Sequence, residues 1–152
     1  MKNYTSYDLI EWGKPFEKSQ HALPEPTLSE VLIRVTAAGL CHSDLHVQKG
    51  YMDLGEEGRL TFAERGAQLP MTFGHEIAGF VEAVGDKVKN VSIGQQVLVF
   101  PWIGCGDCLA CNEDRESDCS AMRIIGLKQK GGFATHCLIE NEKFLVNIDG
   151  LD

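Results

Sequence analysis

Between Cys105 and Cys119 the chain reads CGDCLACNEDRESDC, with four cysteines separated by two, two and seven residues. Thiolates are soft ligands, and four of them at about 2.3 Å complete a tetrahedral Zn²⁺ shell. Gaps of two residues let one turn of backbone present neighbouring sulfurs to a single ion. The polar stretch from Asn112 to Asp118 then brings back the fourth. Such a set leaves no coordination position open, so an ion there braces the fold and does not react. The alternatives are a pair of disulfides, which belongs to an oxidising compartment, and four free buried thiols, which suits so polar a loop poorly.

A second group of metal-ligand residue types lies in two separate segments. One is Gly39-Leu40-Cys41-His42-Ser43-Asp44-Leu45-His46, and the other is Gly74-His75-Glu76. A cysteine and a histidine from different segments can converge on one zinc and leave a position free for a substrate, as a catalytic ion requires. Asp44 and Glu76 are then carboxylates within reach, to steady an imidazole or to bind the ion as alternate ligands. Each residue also has a plainer reading. Cys41 alone can be a small buried hydrophobe, and His75 alone a hydrogen-bonded core side chain. Their occurrence beside a four-cysteine loop favours the metal reading.

These residues must be positioned by short strands. Residues 2–12 form a first strand candidate and residues 16–22 a second, before the Leu23-Pro24-Glu25-Pro26 loop. The β-branched run Glu30–Ala37 is a strand that Gly39 ends. Residues 41–48 suggest a short helical turn. Residues 50–70 read as a long glycine-rich, acidic connection, with one helical turn over residues 60–65. Further strands are expected in IAGFVEAVG after the GHE triplet, in Gln96–Phe100, and in GGFATHCLIE and EKFLVNI. Seven or so strands broken by glycine and proline predict a mainly β barrel or sandwich with few helices.

The 152 residues suffice for one domain with a core, and 43% hydrophobic with 24% charged residues is ordinary for a globular protein. A formal charge of −8 opposes a nucleic-acid partner, and Asp107, Glu113, Asp114, Glu116 and Asp118 would repel phosphate from the cysteine loop. The first residues, MKNYTSYDLIEWG, lack the apolar stretch of a secretory signal, and no apolar run is long enough for a membrane span. A reducing, cytoplasmic setting is therefore expected, and it suits thiolate ligands.

Taken together, the motifs resemble the catalytic domain of the medium-chain zinc-dependent alcohol dehydrogenases. The pattern GHE-x2-G-x5-G-x2-V is met from Gly74 through Gly79 and Gly85 to Val88, and Cys41, Ser43, Asp44 and His46 match the Cys-x-Ser-Asp-x-His segment. The four cysteines match the family's structural zinc lobe. The resemblance implies a GroES-like, partly open β-barrel with short helices and a zinc lobe, and it implies residue roles. Cys41 and His75 would bind a catalytic zinc, with Glu76 beside it and Asp44 orienting His75. Ser43 would hydrogen-bond the substrate hydroxyl, and His46 would pass its proton on. Cys105, Cys108, Cys111 and Cys119 would hold the structural zinc. Tyr51 and Trp102 would line the substrate pocket, and His42 would approach cofactor phosphate. His21, His136 and Cys137 fall in no matching motif and read as structural. Zinc lowers the pKa of bound water from 15.7 to about 7, and an alcohol placed there is acidified likewise, so that a hydride can pass to NAD or NADP.

The chain also departs from the family. No GxGxxG follows a strand, so the Rossmann cofactor domain and the third protein ligand of the catalytic zinc are expected to lie outside residues 1–152. The isolated chain is then expected to be inactive, as the metal-bearing part of a homo-oligomeric parent. Gly94-Gln95-Gln96-Val97 stands where the family has Gly-Asp-x-Val. The long segment from Tyr51 to Leu69 is similar to the loop of bacterial 6-hydroxyhexanoate and alicyclic alcohol dehydrogenases, which implies a medium-length or cyclic alcohol and its aldehyde or ketone. The competing reading is a GroES-like zinc module with a structural or partner-binding role. Ser43 and His46 argue against it, because such a module has no use for a proton path.

Overall fold

A computed structural model describes residues 2–151. In chain order its elements are β1 (Asn3–Leu9), β2 (Glu17–Ala22), β3 (Val31–Gly39), α1 (His42–Lys49), β4 (Tyr51–Asp53), β5 (Arg59–Thr61), β6 (Met71–Thr72), β7 (Glu76–Val84), β8 (Gln96–Val99), β9 (Trp102–Ile103), α2 (Leu109–Asn112), β10 (Arg123–Ile124), β11 (His136–Ile139) and β12 (Leu145–Asn147). The fold is mainly β, as expected, but finer than the expected seven strands. Several segments read as loops contain two- or three-residue strands.

The β-branched run forms β3, the second strand of a five-stranded antiparallel sheet ordered β11-β3-β7-β8-β12. This sheet does not close on itself. A smaller sheet, β2-β1-β6, lies beside it, and Tyr7 N–H donates to the Phe133 carbonyl at 2.8 Å to stitch the two regions. Val31, Ile33, Ile77, Val81, Val97 and Ile139 alternate inward into one core, to which Ile103 and Ile125 from the flanks of the cysteine loop also belong. Burying each such side chain contributes roughly 1.5–3 kcal/mol. A second core joins Leu9, Val47, Phe62, Ala67 and Phe73 under α1 and the smaller sheet.

Residues 50–70 are not the irregular connection expected. β4 and β5 pair antiparallel, Tyr51 with Thr61 and Asp53 with Arg59, around the turn Gly55–Glu57. Phe62 N–H closes the hairpin base on the Gly50 carbonyl at 3.0 Å. Leu60 and Thr61 are therefore strand, not helix, and the turn comes later, over residues 62–67. Gln95 fills the position of the family's aspartate. Its amide oxygen accepts from Ser92 N–H at 3.0 Å, so the turn keeps its side-chain acceptor. Among the described residues no helix is long and apolar enough to cross a membrane.

Candidate metal centres

Strand register brings the second group together. β3 and β7 run antiparallel with Gly39 opposite Glu76, so the chain leaving β3 and the chain entering β7 meet at one end of the ladder. Cys41 lies two residues beyond Gly39, and His75 one before Glu76. Cys41 Sγ is 3.4 Å from His75 Nε2 and 2.8 Å from Ser43 Oγ. Two ligands at zinc–sulfur and zinc–nitrogen bond lengths on a tetrahedral ion stand about 3.6 Å apart, so the pair fits a shared metal.

Cys41 also starts α1. It is extended (φ −113°, ψ 176°), and its backbone N–H donates to Asp44 Oδ2 at 2.9 Å. Asp44 thus satisfies a free amide at the helix start and suits the positive end of the helix dipole. Gly50, in the left-handed region, ends the helix, and its N–H donates to the carbonyls of His46 and Val47. Asp44 is buried, and its Oδ1 lies 3.7 Å from His75 Nδ1, longer than a hydrogen bond. The expected orienting contact is therefore electrostatic, and the direct hydrogen bond of Asp44 goes to Cys41. Ligand atoms of Cys41, Asp44 and His75 all lie within 4.8 Å of one another. Glu76 is not in this cluster. It is exposed, and its carboxylate lies across Gly39, where a Cβ would collide with it.

The four cysteines form the other cluster. Their sulfurs lie within 4.8 Å of one another, with Cys105–Cys111 at 3.9 Å and Cys108–Cys111 at 3.5 Å. The edge of a tetrahedral ZnS₄ shell is about 3.8 Å, whereas a disulfide requires about 2.05 Å. Helix α2 begins at Cys108 and places Cys111 inward, while Cys119 returns after the turn Glu116–Asp118. The backbone amides of Asp107 and Cys108, then the neighbouring thiols, pull the Cys105 pKa down to about 6. The Gly106 amide pulls Cys111 the same way, but burial and the adjacent thiols outweigh it and raise that group to about 11. Such a split is what tightly packed thiols competing for few protons show. Behind the sulfurs, buried Glu116 pairs with Lys143 and ties the lobe to the main sheet.

A cavity of about 330 Å³ opens beside His75, Ser43 and Asp44. It lies where the two cores meet, and its walls include Val47, Met52, Leu60, Phe62, Arg65, Trp102, Ile124, Ile125 and Leu127. Trp102, expected in a pocket, lines it and is 39% exposed. Tyr51 does not; its ring instead carries the Arg59 guanidinium, 4.3 Å from the centroid. His42 and His46 pack edge to face, 4.6 Å between ring centroids, one turn apart on α1, and neither lines the cavity. The sequence reading missed Met52, Leu60, Phe62 and Arg65. The spacing of Leu60 and Phe62 at i and i+2 was the available signal that one strand face points inward.

His21 and His136, expected to be structural, each face a carboxylate away from both clusters. His21 Nε2 lies 3.1 Å from buried Asp8, and His136 Nε2 3.2 Å from Glu82. Cys137 sits in the main core, where burial pushes its thiol up to about 12.

The model of the alcohol dehydrogenase GroES-like domain matches residues 27–150. An NAD-dependent alcohol dehydrogenase of Sulfurisphaera tokodaii is 40% identical over 141 residues, which cover 92% of this chain and 39% of that protein. The crystal structure of the D-arabinose dehydrogenase from Sulfolobus solfataricus superposes with a TM-score of 0.81 at 30% identity, over 100% of this chain and 42% of that one. A cobalt- and zinc-bound thermostable alcohol dehydrogenase from Pyrobaculum aerophilum gives a TM-score of 0.80 at 26% identity, over 98% and 42%. The chain spans about two fifths of the length of the curated relatives it matches.

Proposed function

The chain belongs to the alcohol dehydrogenase GroES-like domain family, and from that premise we propose that it is the metal-bearing part of a zinc- and NAD(P)-dependent alcohol dehydrogenase. The reaction is reversible oxidation of a medium-length or cyclic alcohol to its aldehyde or ketone. The observation that carries the reading is the 3.4 Å approach of Cys41 Sγ to His75 Nε2, at the mouth of an apolar cavity.

Cys41 and His75 would hold the reactive ion, with Asp44 close enough to assist. Glu76 is a reserve ligand that would first have to swing off Gly39. Cys105, Cys108, Cys111 and Cys119 would hold the bracing ion. When bound, the reactive zinc supplies Lewis acidity towards a hydroxyl oxygen, and the nicotinamide supplies the hydride acceptor. The chain's own residues do the rest. Ser43 Oγ faces both Cys41 Sγ and the cavity, so it can accept the substrate's hydroxyl proton as a hydrogen bond. His46, one turn along α1, would relay that proton towards solvent. Met52, Leu60, Phe62 and Trp102 exclude water from the carbon chain. His42 is exposed at the start of α1, where a phosphate would be favoured. The nicotinamide-binding domain is assigned to the portion of such an enzyme outside residues 1–152. A cytoplasmic homo-oligomer, acting on a small molecule and binding neither nucleic acid nor membrane, completes the reading; the charge of −8 opposes a nucleic-acid partner.

Cobalt substitution tests this. Co²⁺ at Cys41 and His75 should give a visible spectrum that shifts on adding a primary alcohol and that Ser43→Ala weakens. A spectrum indifferent to alcohols would contradict the proposal.

A further inference from the structure

Helix α1 carries two histidines four residues apart, His42 and His46, so both rings stand on one face of its eight residues. Their ring centroids are 4.6 Å apart, with the planes at 63°. The other histidines all have a polar partner: His21 has Ser6 and Asp8, His75 has Cys41, and His136 has Glu82. Among the described residues the rings of His42 and His46 have no hydrogen bond or ion pair to another protein group. The lone pair of each neutral ring is therefore uncommitted. His42 is exposed and His46 half-buried, which leaves this face open to water and ions. Asp44 caps the start of α1 and Gly50 its end, so the backbone fixes the spacing of the two side chains.

Two neutral imidazoles one turn apart form a chelate for a divalent transition ion. If each ring meets the ion along a metal–nitrogen bond of about 2.05 Å, its centroid stands about 3.2 Å from the metal. Two such centroids are then about 4.5 Å apart at a right angle and about 5.2 Å apart at the tetrahedral angle. The observed 4.6 Å fits the right angle of octahedral or square-planar coordination. We propose that His42 and His46 form a further metal site, an open two-imidazole chelate for Ni²⁺ or Cu²⁺ on the exposed face of α1, with water in the remaining positions. Imidazole nitrogen selects these ions over Mg²⁺ and Ca²⁺, which seek oxygen, and the angle selects them over tetrahedral Zn²⁺. The net charge of −8 draws cations towards the surface. Neither histidine belongs to the Cys41–His75 cluster or lines its cavity, so the site is separate from that one. It needs only the two rings and stands whether or not the dehydrogenase reading does. Where both hold, the ion takes the lone pair that a proton relay through His46 would use, so the two roles exclude each other.

The test is a Ni²⁺ titration of the zinc-loaded full chain, followed by calorimetry and near-ultraviolet absorption. One Ni²⁺ should bind without the sulfur-to-metal charge-transfer band that a thiolate ligand gives, and Mg²⁺ should not compete for it. His42→Gln and His46→Gln should each weaken Ni²⁺ binding roughly ten-fold or more, because the second ring no longer acts at high effective concentration. Ni²⁺ should also slow hydrogen exchange of the α1 amides in the unmodified chain, since an ion held across one turn stabilises the folded helix, and should have no such effect in either variant. A charge-transfer band at the first equivalent overturns the inference, because the ion has then gone to cysteine. So does equal competition by Mg²⁺, or an affinity that neither substitution changes. Weakening in one variant alone also overturns it, since a single imidazole is then the ligand.

Discussion

Asp44 shows how one side chain serves two ends. Its Oδ2 accepts the Cys41 amide, and its Oδ1 faces the His75 ring at 3.7 Å. The same carboxylate therefore fixes where Cys41 begins α1 and sets the charge around the imidazole. Removing such a supporting group lowers metal affinity about 10–100-fold in comparable sites. Asp44→Ala should weaken the Cys41–His75 metal by about that factor in a chelator competition and leave the four-cysteine ion unmoved. Equal affinity in the variant would assign Asp44 to the helix alone. Cys41, Ser43 and His75 were legible in the sequence because their spacing belongs to a known motif. The geometry around them was less so. That Asp44 bonds Cys41 depends on the dihedral angles at the helix start, and that Glu76 lies over Gly39 depends on strand register.

At the scale of elements, the β3–β7 ladder does most to define the site, because its end delivers both proposed ligands. Gly79 stands opposite Val35 beside a register shift, and a Cβ there would strike the Arg34 carbonyl and the Ile33 side chain. Gly79→Ala should cost about 1–3 kcal/mol in urea unfolding; an unchanged midpoint would show that the ladder gives way freely. β6, which leads to His75, is anchored by buried Asp8. Thr72 Oγ1 donates to Asp8 Oδ1 at 2.6 Å, and His21 lies 3.1 Å from the other oxygen. Burial opposes the charge on Asp8, but donors from Thr72, Ser19, Ser6 and His21 together hold its carboxyl below the usual range. A depressed folded-state pKa gives stability that is present above the unfolded value near 3.9 and lost as pH falls through the folded one. Asp8→Asn should therefore lose about 1–3 kcal/mol at neutral pH, and its stability should fall less than that of the unmodified chain between roughly pH 5 and 3. Parallel acid limbs would contradict this. The long strands were legible from β-branched runs and glycine stops. The β4–β5 hairpin was not, since three-residue strands around an acidic, glycine-rich turn carry too little pattern. With it went the places of Met52 and Leu60 in the cavity wall.

The molecule as a whole is two cores with a cavity between them and a cysteine lobe at one side. Ile103 and Ile125, both fully buried, hold the stem of the lobe in the main core, and the Lys143–Glu116 pair holds its middle. Chelation should therefore expose amides between Cys105 and Cys119 to hydrogen exchange first, while those of β3 and β7 stay protected; simultaneous loss would mean the lobe holds up the entire domain. The mainly β architecture and the separate cysteine lobe could be read in advance because each rests on local spacing. The meeting of the two cores could not, since it joins residues distant in the chain, such as Val47 of the second core and Ile125 of the first, which line one cavity. The central claim is that this domain has two unlike metal addresses, and zinc analysis under graded chelation tests it most directly. The unmodified chain should bind about two ions, one held tightly and one weakly. Cys41→Ser should lose the weak ion, and Cys105→Ser the tight one. Loss of the tightly held ion from Cys41→Ser would reverse the assignment, and retention of both ions there would remove the basis for a reactive centre.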